Sequence, residues 1–158
     1  MAKQSFNRKD RRFELMTMLA IISTFIAMSS FSVTAKAADI TMYKSPWCGC
    51  CSGWADYMKK NGHNVVVKKT EQMEMIKKMA GVPEDMQACH TAVVGDYIVE
   101  GHVPVQTVER LLKEKPKAFG IAVPGMPAGS PGMDSSDPEP YNVILFKTGG
   151  KREVYERF

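Results

Sequence analysis

The sequence predicts an α/β fold. Three observations carry that prediction: short runs of alternating apolar and polar residues, amphipathic segments interleaved with them, and the cysteine-rich stretch "SPWCGCCSGW" where the first run gives way to the first amphipathic segment. "DITMYKS" alternates and stops at Ser45-Pro46, so it is the first strand. In "SGWADYMKKNG", Trp54, Tyr57 and Met58 recur at helical spacing until Gly62 breaks the pattern. "HNVVVKK" is a second strand, and "EQMEMIKKMAG" a short helix closed by Gly81. "ACHTAVVGDYIVEGH" reads as two strands joined at Gly95-Asp96. "VPVQTVERLLKEKP" is a helix with Pro104 near its first turn and Val108, Leu111 and Leu112 on one face. Residues 120–140, "GIAVPGMPAGSPGMDSSDPEP", are rich in Gly and Pro and predict a region that is largely loop. "YNVILFKTGGKREVYERF" then predicts a terminal β-hairpin turning at Gly149-Gly150. The order βαβαββα, with a C-x-x-C after the first strand, is that of a thioredoxin-like sheet with flanking helices; the Gly/Pro/Met loop and the C-terminal hairpin extend it.

Residues 1–37 have the layout of a secretory signal peptide. Lys3, Arg8, Lys9, Arg11 and Arg12 form a basic start, an apolar run extends from Leu15 to about Met28, and Ala35-Lys36-Ala37 offers a small-residue cleavage site ahead of Ala38. A membrane span needs roughly 20 apolar residues, and this run is shorter, so no stable membrane insertion is expected after cleavage. The expected mature protein is then a single domain, residues 38–158, exported across the inner membrane to the periplasm. The net charge of +4 does not signal nucleic-acid binding. Residues 1–37 hold six of the 21 Lys and Arg and two of the 17 Asp and Glu, leaving 15 of each sign in the rest. No basic stripe remains to track phosphates.

All four cysteines fall in the exported part, whose destination is oxidising. Cys48 and Cys51 make a C-x-x-C at a predicted helix N-terminus, where unpaired N–H groups and the helix dipole stabilise a thiolate. That suits disulfide exchange and metal binding alike; a plain structural disulfide is the bland alternative, and three cysteines in four positions at a helix start count against it. Cys50 favours metal: a third thiol beside an exchanging pair can scramble it, whereas three thiolates on one turn can bridge soft ions.

Cys89-His90 forms a second group. In a thioredoxin-like alignment "ACHTAVVGDYIVEGHVP" packs against the C-x-x-C and puts His90 where a proline usually stands. Cys48, Cys50 and Cys51 would then line one wall of a pocket, Cys89 and His90 the other, with His102 at the rim. Met126 and Met133, in "PGMPAGSPGM", sit on a loop able to fold over it. Thioether sulfur binds Cu(I) without losing a proton and is rarely a zinc ligand, so these two residues point to copper.

The stretches "SPWCGCCSGW", "GVPEDMQACHTAVVGDYIVEGHVP" and "AVPGMPAGSPGM" together resemble a family of small exported metal-binding proteins that includes the CopG-type copper resistance proteins. The resemblance implies a thioredoxin-like fold in the periplasm of a Gram-negative bacterium and cysteine-bridged copper, including a multinuclear Cu(I) cluster. It carries the cluster cysteines onto Cys48, Cys50, Cys51 and Cys89 and the adjoining histidine onto His90.

Simpler roles are expected elsewhere. His63 reads as solvent-exposed, Met73, Met75 and Met79 as core residues of an amphipathic helix, and Lys59-Lys60, Lys68-Lys69 and Lys77-Lys78 as solvated ends of elements. Trp47 and Trp54 flank the cluster and would shield it. The expected function is a copper-binding protein of copper resistance that holds Cu(I) and, through imidazole, tolerates Cu(II), which would let it act as a copper oxidoreductase. Its partners would be copper ions and other periplasmic copper-handling proteins. A thiol-disulfide oxidoreductase in which Cys48 attacks and Cys51 resolves is one alternative. A Cys3His zinc site is another, and it leaves the methionine loop unexplained.

Overall fold

A computed structural model describes residues 37–158, so the expected signal peptide lies outside the described residues except for Ala37. Among the described residues, seven strands form one mixed sheet in the order β2-β1-β3-β4-β5-β6-β7, with three α-helices. The strands are β1 (Asp39–Lys44), β2 (Asn64–Lys69), β3 (His90–Val94), β4 (Tyr97–Glu100), β5 (Gly120–Ala122), β6 (Asn142–Phe146) and β7 (Arg152–Arg157). The helices are α1 (Gly49–Lys60), α2 (Met73–Met79) and α3 (Val105–Glu114). Among the described residues no helix is long and apolar enough to cross a membrane.

The predicted α/β order is present because the apolar faces of β1, α1 and α3 meet in one core. In β1, Ile40, Met42 and Lys44 point inward, and in α1, Cys51, Trp54, Ala55 and Met58 form a stripe at helical spacing against the same core. β1 runs parallel to β2 and antiparallel to β3, which pairs β4 through the turn at Gly95-Asp96. Val105, Thr107, Val108 and Leu111 bury the inner face of α3. The terminal hairpin forms as expected, with Gly149 and Gly150 both at positive φ in its turn.

Several expectations need correction. Gly120–Ala122 is a strand rather than loop: all three residues are buried, and they join β4 to β6, making the sheet continuous through the hairpin. A Cβ on Gly120 would stand 1.9 Å from the Ile98 carbonyl oxygen, so the glycine that reads as a loop signal is there to let two strands approach. From Val123 to Tyr141 the chain forms no helix or extended strand, with a single isolated bridge between Gly125 and Ala88.

His63 is buried, not exposed: its Nδ1 accepts from the Ala38 N–H at 3.1 Å, and Nε2 lies 3.5 Å from Glu109 Oε1 without hydrogen-bond alignment. Met75 and Met79 are not core residues; they are 49% and 77% exposed, and Met73 is only half-buried. The residue that α2 buries is Lys77, expected to be solvated, because a carboxylate and a hydroxyl under the helix receive its amine.

Candidate metal centre

The α1 N-terminus builds one wall. Cys48 is the N-cap, with its Sγ accepting from the Cys51 N–H at 3.3 Å. The two residues, one turn apart with Cα atoms separated by 5.5 Å, are joined by a disulfide. The expected platform of three thiols therefore requires this bond to be reduced first. Cys50 and Cys89 are free thiols. Cys50 Sγ lies 3.4 Å from Cys48 Sγ and 3.9 Å from Cys89 Sγ, and Cys51 Sγ lies 3.6 Å from the Cys89 carbonyl oxygen. That last approach is a contact and not a hydrogen bond, since a disulfide sulfur carries no proton. All four sulfurs stand within 4.8 Å of one another.

The start of β3 and the turn after β4 build the facing wall. Cys89 Sγ lies 2.9 Å from His102 Nε2 and 3.7 Å from His90 Nδ1. His102 Nδ1 is 2.7 Å from the Pro131 carbonyl oxygen, which can only accept. Nδ1 therefore carries the proton and Nε2 presents its lone pair to Cys89, the arrangement in which a backbone carbonyl orients a metal-binding imidazole. His90 is fully buried between the rings of Trp54 and His102, at centroid distances of 4.6 and 5.0 Å, and its Nε2 has no hydrogen-bond partner. An unpaired buried nitrogen costs about 1–3 kcal/mol.

The electrostatics prepare neutral donors. Burial lowers His90 well below the usual histidine range, and repulsion from His102 in its protonated form and from Lys77 and Lys44 adds to it. Burial also lowers His102, against the opposing effect of the Pro131 carbonyl. The Cys89 thiol is pushed up to about 12, by burial first and then by Cys50, so it keeps its proton until a sulfur-seeking ion displaces it.

A buried ionic network holds the second wall in place. The Lys77 ammonium pairs with Glu100 Oε1 and lies 3.2 Å from Thr91 Oγ1. Glu100 Oε1 also accepts from the Ala88 N–H at 2.8 Å, and Oε2 accepts from Thr91 Oγ1 at 2.6 Å. Burial raises the Glu100 carboxyl, while Lys77 and these donors pull it down. Ala88 and Thr91 flank Cys89 and His90, so this one carboxylate sets the path of both candidate ligands. Lys44, buried at the end of β1, donates to Ser52 Oγ at 2.9 Å and ties β1 to α1.

Two glycines allow the close approaches. Gly101 has φ +74°, and a Cβ there would come within 2.6 Å of both Ala88 Cβ and the Val123 oxygen. Gly132 has φ +81°, and a Cβ there would meet Trp54 N at 2.6 Å and Cys50 O at 3.0 Å. The methionine loop is thus seated directly on α1 beside Cys50, with Pro131 on His102. Met133, half-buried, follows Gly132; Met126, 55% exposed, follows Gly125, the bridge partner of Ala88. His102 is fully buried behind this loop, not at a rim. Trp54 closes the site from below, its Nε1 donating to Val103 O at 2.9 Å, whereas Trp47 is 83% exposed and shields nothing.

Lys77, Glu100, Lys44 and Ser52 were missed by sequence reasoning. The one available signal was Glu100 at the end of the otherwise apolar strand "YIVE"; nothing in the spacing paired it with a lysine 23 residues earlier.

Two solved structures, "Copper resistance protein copG- Form 1" and "Copper resistance protein copG- Form 2", each match at 35% identity and a TM-score of 0.74. The matches cover 78% of this chain and 98% and 99% of theirs. The chain belongs to the CopG family of copper resistance proteins. A family model described as "Protein of unknown function, DUF411" matches residues 86–133, which hold the Cys89 wall and the methionine loop but not the α1 cysteines. No curated protein sequence matches the chain.

Proposed function

We propose that this CopG-family protein is a periplasmic copper-binding protein of copper resistance that holds Cu(I) once the Cys48–Cys51 disulfide is reduced. The observation that carries this reading is the convergence of four sulfurs within 4.8 Å, on two walls that meet only in the folded chain. Cys48, Cys50, Cys51 and Cys89 provide bridging thiolates, soft donors that select Cu(I), and their crowding suits a cluster of several ions better than a single one. His90 and His102 adjoin as neutral donors. Met126 and Met133 belong to the proposed ligand set as thioethers delivered by a loop seated on α1. A mixed thiolate and imidazole shell also admits Cu(II), and with it redox interconversion of bound copper. The sheet order β2-β1-β3-β4, with β1 parallel to β2 and β3 antiparallel to both β1 and β4, supports the thioredoxin-like reading.

The test is an anaerobic Cu(I) titration of the reduced protein against a competing chelator, with and without Cys50→Ser. More than one tightly held Cu(I) per chain, reduced in the variant, is the expected result. Weak binding throughout, or binding indifferent to Cys50→Ser, would overturn it. The disulfide at Cys48–Cys51 favours one other reading, a thiol-disulfide oxidoreductase with Cys48 as its accessible sulfur. Turnover of a disulfide substrate by the metal-free protein would support that reading, and absence of turnover would remove it.

A further inference from the structure

Outside the candidate metal centre, His63 is the one buried side chain among the described residues that leaves a nitrogen without a hydrogen-bond partner. Gly62, at φ +90°, turns the chain out of α1, and His63 follows it inward to 5% exposure. Its Nδ1 accepts from the Ala38 N–H at 3.1 Å, so the neutral ring carries its proton on Nε2. That nitrogen faces Glu109 Oε1, on α3, at 3.5 Å. Among the described residues no Lys or Arg lies within ion-pairing distance of Glu109. An N–H donor, an imidazole and a carboxylate thus stand in series, with a negative end and no positive one.

Ala38 is gripped from its first atom. Its N–H goes to His63, its carbonyl accepts from the Asn64 N–H at 2.9 Å, and its side chain packs on the core, whereas Ala37 is exposed. With export and with cleavage after Ala37, as the sequence predicts, we propose that His63 and Glu109 form a binding site for a primary ammonium, the new α-amino group of Ala38. Hydrolysis by an export-linked peptidase breaks the Ala37–Ala38 C–N bond and adds one water. The Ala37 carbonyl carbon leaves as a carboxylate, and the Ala38 nitrogen becomes an ammonium. An amide N–H gives His63 Nδ1 a hydrogen bond without charge. The ammonium gives the same bond from the same atom with a full positive charge, which polarises the ring and draws its Nε2 proton onto the Glu109 carboxylate. Only a terminus at Ala38 fits. A cut one residue earlier leaves the uncharged amide on His63, and a cut one residue later removes the donor and leaves both ring nitrogens unpartnered. Both ends of β1 are then tied down, the first by His63 and the last by Lys44 on Ser52. The proposal rests on the periplasmic part of the proposed function and is independent of its copper chemistry.

The test expresses the full-length chain with its leader in a Gram-negative host and recovers the exported protein. Intact mass should give a chain that begins at Ala38. A limiting amine-acylating reagent near neutral pH, read by peptide mass spectrometry, should then modify the Ala38 amine about tenfold faster in Glu109→Gln and in His63→Gln than in the parent. An ammonium held by hydrogen bonds yields its proton, and so its lone pair, less readily. The exposed Lys60 and Lys78 should react alike in all three. In urea, Glu109→Gln should lower the folding equilibrium constant of the processed chain by about three- to fivefold, and that of the unprocessed chain from the cytoplasm by less than about twofold. Glu109 is on the surface, so its variant keeps the test if His63→Gln fails to fold. A first residue other than Ala38, an amine acylated equally fast in the parent and in Glu109→Gln, or equal destabilisation of both chains would overturn the proposal. Cu(I) titration of the reduced protein reports separately on the copper function, and failure there leaves the ammonium site standing.

Discussion

The two walls of the candidate metal centre are built in opposite ways. The α1 wall is local: three cysteines within four residues, placed by one helix start, half-exposed in part and able to switch between disulfide and dithiol. The Cys89 wall is assembled from β3, the turn after β4 and a loop some 40 residues from Cys89, and it is held by the Lys77–Glu100 pair and the Pro131 carbonyl. One wall supplies changeable chemistry. The other supplies fixed candidate donors that face it.

The contrast can be broken most severely at Lys77. Removing its charge leaves Glu100 buried without a partner, so Lys77→Ala should cost about 3–5 kcal/mol in urea unfolding. Lys77→Met with Glu100→Leu should recover much of that stability, but not the path of the Cys89 segment, so metal affinity should stay low. A single variant as stable as the parent would show that the pair does not hold this wall. Gly101→Ala comes next: positive φ together with a Cβ 2.6 Å from two neighbours should lower stability by about 1–3 kcal/mol or more. Thermal unfolding of the metal-free protein measures it, and an unchanged midpoint would contradict the close approach.

Gly132→Ala sharpens the contrast, because it acts on the loop and not on the sheet. It should lift the methionine loop from α1, free the His102 tautomer and weaken Cu(I) binding by about tenfold, with a smaller loss of stability than Gly101→Ala. Chelator competition beside unfolding separates the two effects. At the small end, Met75→Leu with Met79→Leu, on the exposed face of α2, should change stability by less than about 0.5 kcal/mol. The pair should leave copper stoichiometry unchanged; a lost copper equivalent would place a site on α2.

How far the sequence could be read follows the same division. "SPWCGCCSGW" announced the α1 wall because helix-start spacing alone brings Cys48, Cys50 and Cys51 together. Cys89-His90 was found by alignment of the strand order. What escaped was whatever depended on distant partners. Lys77 looked like a solvated helix end because its carboxylate lies two strands away in the chain, and Met75 and Met79 looked like core because periodicity marks a stripe without saying which side meets the sheet. Gly120 read as loop because glycine marks turns and tight strand contacts alike. His63, expected in solvent, was covered by the Ala38 backbone and the Glu109 carboxylate, neither of which local pattern reveals.

The central claim is that four sulfurs from both walls close on the same copper ions. Copper K-edge absorption of the reduced, Cu(I)-loaded protein tests it most directly. A first shell dominated by sulfur, with a copper neighbour in the second shell that disappears in Cys89→Ser, is the predicted result. A shell of nitrogen and oxygen, or a sulfur shell with no copper neighbour and no response to Cys89→Ser, would contradict it.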